Sequence, residues 1–214
     1  LWQQLTGEAI VGDLTGTELE KIPAQIISFK QFAQAYPEGR VLSRSTGFNR
    51  SYGQNPYAGY DNINKTPFLY KDPTDPRVPP MEKLITVSRD GEHKAYPYSM
   101  TQKVNVVHDT IAGEPIVVFH GEGAVSALDR RKIAESREVG STGVFDPRID
   151  GKVHHFRYAD GKFIDEETQS VWNITGQAVA GPLEGKQLKP VQHGDYFAFA
   201  WLAFRPETEI VGGR

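Results

Sequence analysis

His108 and His120 are the residues with the clearest capacity for chemistry in this chain. Val104–Val107 and Pro115–Phe119 read as two strands joined around Gly113, which sets both imidazoles near the ends of neighbouring strands. Asp109 follows the first histidine, and Glu122 lies two residues after the second. Two imidazoles and a carboxylate can hold zinc, copper or iron, so a transition metal is the one cofactor these residues admit. The plainer account makes them polar residues that cap turns. His154-His155 reads as part of a strand, where successive rings point to opposite faces. Only one of the pair can then turn inward, and His155 is taken as the third candidate ligand. His193 precedes an expected helix, where a capping role is the default, and His93 falls in an expected exposed hairpin turn.

A second kind of chemistry is offered by aromatic residues. Tyr52, Tyr57 and Tyr60, with Asn55 between them, combine flat apolar faces with amide groups. Such a surface suits a sugar, a peptide or a protein partner. The competing account is that these rings pin a long loop to the core. No serine sits in a nucleophile elbow, and there is no phosphate-binding loop or dinucleotide fingerprint. Zero cysteines exclude disulfides, thiolate metal sites and a cysteine nucleophile. The reading therefore requires no organic cofactor and leaves the question of catalysis open.

Composition narrows the partners. With 24 Lys+Arg against 27 Asp+Glu and no basic stripe, neither nucleic acid nor an anionic membrane is an expected partner. No apolar run approaches the ~18 residues of a membrane helix, so membrane insertion is not expected. The longest such run, 196–204, belongs in a core. The chain opens on Leu1-Trp2 without an initiator methionine, which reads as a processed or truncated product.

The elements that must position these residues are short. Asp90-Gly91, Asp150-Gly151 and Asp160-Gly161 signal hairpin turns between runs of β-forming residues. Ser28, with Gln31 three residues on, forms a capping-box pattern before Phe29, Phe32, Ala33 and Tyr36. Asp195 is placed to cap a final helix through Phe204. The expectation is a mainly β fold, with α+β the alternative: a short-strand barrel or sandwich with a few short helices.

The chain also repeats itself. Leu5-Thr6-Gly7 aligns with Ile174-Thr175-Gly176, and the register continues through Gly12 and Gly181, Gly16 and Gly185, Leu19 and Leu188, and Pro37-Glu38 and Pro206-Glu207. Trp2 meets Trp172 if one residue is dropped. Matched glycines mark matched turns, so an internal duplication is expected. Residues 1–43 then form the end of a preceding repeat unit, 44–78 an aromatic loop or linker, and 79–214 a second β-rich unit. About a hundred residues of the first unit are expected upstream.

Several segments resemble one family. They are Trp2-x-x-Leu5-Thr6-Gly7-Glu8-Ala9, Arg40-Val41-Leu42-Ser43-x-x-Thr46-Gly47-Phe48, Tyr52-x-x-x-Pro56-Tyr57-x-x-Tyr60, Ala95-Tyr96-Pro97 and His108-Asp109-Thr110-Ile111-x-Gly113-Glu114-Pro115. Together they are similar to the domain-of-unknown-function 3179 family, over nearly the whole chain. That resemblance implies a prokaryotic protein, often exported, and so a periplasmic or extracellular location, with no established activity. Members often carry a Cys-Pro segment in their first unit. Here the corresponding stretch of the second unit reads Phe119-His120-Gly121-Glu122-Gly123, so thiol chemistry does not carry over. The leading expectation is an exported binding or structural module that contacts another protein or the missing repeat unit. The alternative is a metal-binding enzyme or redox accessory protein using His108 and His120.

Overall fold

Tight turns at Asp90-Gly91, Ala112-Gly113, Asp150-Gly151 and Asp160-Gly161 set the fold, and both residues of each pair lie at positive φ. That geometry matches the twist of an antiparallel pair, so each turn closes a hairpin. The computed structural model describes residues 1–212. In chain order they form α1 (Phe29–Ala35), β1 (Lys83–Arg89), β2 (Glu92–Pro97), α2 (Tyr98–Val104), β3 (Val106–Ile111) and β4 (Glu114–Gly121). After a 3-10 turn at Ile133–Glu135 come β5 (Ser141–Asp146), β6 (Arg148–Ile149), β7 (Lys152–Val153), β8 (Phe156–Ala159) and β9 (Lys162–Asp165). The last elements are β10 (Val171–Trp172), β11 (Ala178–Ala180), β12 (Lys189–Pro190), β13 (His193–Phe197), α3 (Ala198–Phe204) and β14 (Glu209–Ile210).

Three four-stranded sheets result, ordered β13-β1-β2-β14, β12-β5-β4-β3 and β11-β10-β9-β8. The β3–β4–β5–β12 sheet is buried on both faces. On one side Val117, Phe119 and Phe145 pack with Phe156, Phe163 and Trp172. On the other, Ile116, Val118 and Val144 pack with Ile85, Val87 and Tyr96. Alternation along a strand sends neighbours to opposite faces, which is why the continuous apolar run Ile116–Phe119 serves two cores. Phe119 stacks flat on Phe163, with ring centroids 4.1 Å apart. Each sheet keeps two free edges. Of the barrel and the sandwich expected from the sequence, the described residues therefore form layered open sheets and no closed barrel. No helix among the described residues is long and apolar enough to cross a membrane.

The capping box at Ser28 forms as expected, with the Ser28 hydroxyl accepting from the Gln31 N–H. Two local expectations fail. Residues 98–104 are helical, although Val104–Val107 reads as a strand, and Asn105 ends that helix at positive φ. Asp195 does not cap α3; it lies in β13 and Phe197 takes the cap position.

Residues 5–19 and 174–188 follow the same hydrogen-bonded course. Ala9 N–H donates to Thr17 O, and Ala178 N–H to Lys186 O, both at 2.9 Å. Gly16 N–H to Ala9 O is repeated by Gly185 N–H to Ala178 O, and Leu19 N–H to Gly7 O by Leu188 N–H to Gly176 O. The bridges Trp2–Ala9 and Glu8–Glu18 have counterparts in Trp172–Ala178 and Gln177–Gln187. Helix α1 occupies the place of α3 in this alignment, and their C-caps, Tyr36 and Arg205, have similar dihedrals.

Candidate functional site

The two stretches differ in what covers them. Leu188 is 0% exposed and its counterpart Leu19 is 53% exposed; Val191 is 6% exposed and Ile22 84%. Trp172 and Ala198 are each 1% exposed, against 37% for Trp2 and 70% for Phe29. Val41 and Leu42 are exposed as well. In the second stretch, β12, β13 and β14 fill strand positions beside β5, β1 and β2 respectively. The matching residues 20–21, 24–28 and 40–41 belong to no strand. Residues 1–42 thus combine exposed apolar side chains with two short segments, 20–27 and 40–41, that lie outside any strand.

This stretch is anchored at a few points. The Gln25 amide donates to Thr142 O at 2.9 Å and Ile174 O at 3.0 Å. Gln31 donates to Glu122 O and accepts from the Ser141 hydroxyl. Ile27 packs against the core shared by the β4 and β9 residues.

The histidines do not gather into one centre. In the β3–β4 register Val106 lies opposite Phe119, so the position facing His120 is Asn105, three residues from His108. Three is odd, and the two imidazoles point to opposite faces, separated by ~10 Å along the strand direction. His108 stacks beside Phe156, and its Nε2 accepts the Phe156 N–H at 2.9 Å. Its ring centroid is 5.6 Å from that of His155, so those two candidates do come together. His120 is buried between the Thr101 hydroxyl, 2.8 Å from Nδ1, and Val139 O, 3.0 Å from Nε2. Burial pushes its pKa down, with the Val139 carbonyl opposing. Both ring nitrogens are occupied, so a metal at His120 would have to displace existing hydrogen bonds. His93 lies in β2, within 2.7 Å of Ser88 Oγ, and is not the exposed turn residue expected. His193 belongs to β13 and its Nδ1 bonds Val191 O.

The tyrosine loop is anchored at one end and open at the other. Tyr60 sits edge-on to Phe197, 5.6 Å between centroids, and Asn55 is buried, with its amide on Arg130 O. Tyr52 and Tyr57 remain exposed, and Tyr52 lines an open groove with Asn55 and Arg131.

A buried polar cluster escaped the sequence reading. The Tyr98 hydroxyl donates to Asp195 at 2.9 Å and the Thr142 hydroxyl at 3.0 Å, while the His120 ring meets Tyr98 edge-on at 4.8 Å. Lys83 Nζ lies 5.6 Å from the Tyr98 ring centroid, in a cavity of about 300 Å³. Burial lowers the Lys83 pKa, against the pull of Asp61 and Asp195. The same burial, reinforced by Asp195, drives the Tyr98 phenol well above its ordinary value. These bonds tie α2 to β5 and β13. Only the pairing of distant strands assembles them, so no local sequence signal marks them.

The family model described as protein of unknown function (DUF3179) matches residues 1–208. No curated protein and no solved structure matches the chain.

Proposed function

We propose that this chain, which belongs to the DUF3179 family, is a binding or structural module in which residues 1–42 close a second β unit built like residues 83–170. The observation that carries the reading is the contrast between equivalent positions. Leu188, Val191 and Trp172 are buried in the second stretch, where Leu19, Ile22 and Trp2 are exposed in the first. Burying an aliphatic side chain contributes about 2 kcal/mol, so several exposed positions on one stretch make a strong docking surface. The unpaired backbone at 20–27 and 40–41 supplies the rest of the recognition, because an added strand pairs through its main chain. The occupant is a β unit offering edges equivalent to those of β5, β1 and β2. An exported setting, which the family resemblance implies, belongs to the same proposal. The two stretches are in this reading copies of one closing motif.

Amide hydrogen exchange tests the docking. The chain is measured alone and with residues 79–170 supplied as a separate co-expressed polypeptide. Residues 20–27 and 40–42 are expected to gain protection in the mixture, and a Leu19→Ser, Ile22→Ser chain to gain none. Equal exchange with and without the unit, in a mixture shown to contain folded unit, overturns the proposal. The reading centred on His108 and His120 has less support, since their opposite orientation leaves no shared ligand position.

A further inference from the structure

We propose that His154, Asp165 and Glu167 form a site for a divalent first-row transition cation of the zinc class. The sequence reading treats His154-His155 as strand residues with opposed rings. Instead β7 ends at Val153 and β8 begins at Phe156, which leaves both histidines in irregular backbone. Freed from alternation, both rings reach the turn that follows β9.

Distances support a cation more than a hydrogen-bonded triad. His154 Nδ1 lies 3.4 Å from Asp165 Oδ1 and 3.6 Å from Glu167 Oε2, and all three ligand atoms fall within 4.8 Å of one another. A charge-assisted N–H···O bond is shorter, at about 2.7–2.9 Å. Two ligands each held about 2.1 Å from a tetrahedral zinc stand about 3.4 Å apart, close to the two distances that His154 Nδ1 makes.

The ligands are aimed by their neighbours. Asp165 Oδ2 accepts from Trp172 Nε1 at 3.0 Å and from the Ser170 N–H at 3.1 Å. Asp165 Oδ1 accepts from the Thr168 N–H at 2.7 Å and lies 2.8 Å from the Thr168 hydroxyl, which also reaches Oδ2 at 2.9 Å and Ser170 Oγ at 2.7 Å, so Oδ1 is open to an ion when that hydroxyl turns to Oδ2 or Ser170. Glu167 is held by the His155 main-chain N–H and by His155 Nδ1, the latter 2.7 Å from Oε1. Outer partners of this kind fix ligand orientation in metal sites.

Charge points the same way. Two carboxylates meet the imidazoles of His154 and His155, and among the described residues neither has a Lys or Arg partner. His154 and Asp165 are buried and Glu167 is exposed, so an ion can enter on the Glu167 side, with water or His155 completing its shell. The nitrogen ligand and the count of only two carboxylates favour a zinc-class ion over calcium or magnesium. No residue of the 1–42 surface takes part, so this site stands or falls independently of the docking proposal.

The test is titration of the chelator-treated full chain with Co²⁺, followed by displacement with Zn²⁺. Binding of one equivalent is expected, with the visible absorption of tetrahedral cobalt and its loss on adding zinc. His154→Ala and Glu167→Gln are each expected to weaken binding about tenfold or more. Asp150→Asn, an exposed acid elsewhere, should leave affinity unchanged. Circular dichroism of each variant separates lost binding from lost folding, and Glu167, being exposed, tolerates its substitution. Failure of the folded wild-type chain to bind Co²⁺ overturns the proposal. So does unchanged affinity in folded Glu167→Gln.

Discussion

Truncating Leu19 and Leu188 to alanine, one at a time, tests whether equivalent positions are differently covered. Leu188 is fully buried and packs in the core with Val117, Phe145 and Trp172. Removing a leucine side chain from such a site costs roughly 3 kcal/mol, because transfer and cavity terms add. Leu19 is 53% exposed. Its truncation leaves no enclosed cavity, and with about half the side chain already in water the loss should stay below about 1 kcal/mol. For a chain of this size each kcal/mol moves Tm by about 2–4 °C. Leu188→Ala should therefore lower Tm by about 6–12 °C and Leu19→Ala by no more than about 4 °C. Thermal unfolding of the isolated chain, followed by circular dichroism, measures both. Adding a folded partner unit should change only the Leu19 result, since the lost contact then weakens binding about tenfold, or 1.4 kcal/mol. A Leu19→Ala variant that melts as early as Leu188→Ala would show the surface to be already covered, and the docking argument would fail.

Gly140 sits at φ 79°, and a Cβ there would run into His120 Nε2 and come within 2.9 Å of Gly121 O. Gly140→Ala should therefore cost at least about 2 kcal/mol in urea unfolding, while Gly151→Ala, at φ 80° in open space, should cost about 1; equal losses would refute the packing assigned to His120. Because burial depresses the folded-state pKa of His120 below the ordinary 6.5, the folded chain binds fewer protons than the unfolded one. Its contribution is complete above pH 6.5 and is lost as pH falls toward the depressed value. Urea unfolding at pH 7.5 and 5.0 should thus show a larger acid loss in the wild type than in His120→Gln, and parallel profiles would contradict the assignment. Tyr60→Ala removes the edge contact with Phe197 and should expose residues 50–65 to limited proteolysis. An unchanged digestion pattern would mean that Asn55 and its neighbours hold the loop alone.

What could be read from the sequence was local chemistry. Asp90-Gly91, Asp150-Gly151 and Asp160-Gly161 sit at positive φ in hairpin turns, and Ser28 with Gln31 caps a helix, because each signal is settled within a few residues. Asp195 shows where that stops. As a polar residue just before an apolar run it reads as a cap, yet the Tyr98 and Thr142 hydroxyls claim its carboxylate across the sheets. Residues 98–104 fail in the same way. Val104 looks like the start of a strand, but Tyr98 and Thr101 are buried on a short helix packed against β4, and that packing outweighs the β-branched end.

The histidines carry this lesson into the candidate site, where parity decides. A turn at Ala112-Gly113 fixes which residue of β3 faces each residue of β4, and a single-residue shift exchanges every side chain between the two cores. The turn near Gly113 is legible in the sequence, and alternation followed back from it puts Asn105, not His108, opposite His120. That step was available from the sequence alone. His154-His155 shows the reverse: alternation holds only within a strand, none runs through these two residues, and both rings reach Glu167. No sequence rule gives that result, because it depends on β7 stopping at Val153 and on a turn eleven residues later that Asp165 organises through Trp172, Ser170 and Thr168. Metal titration therefore bears on more than a ligand. If His154→Ala leaves Co²⁺ affinity intact in a folded chain, the break between β7 and β8 is only a corner between two sheets.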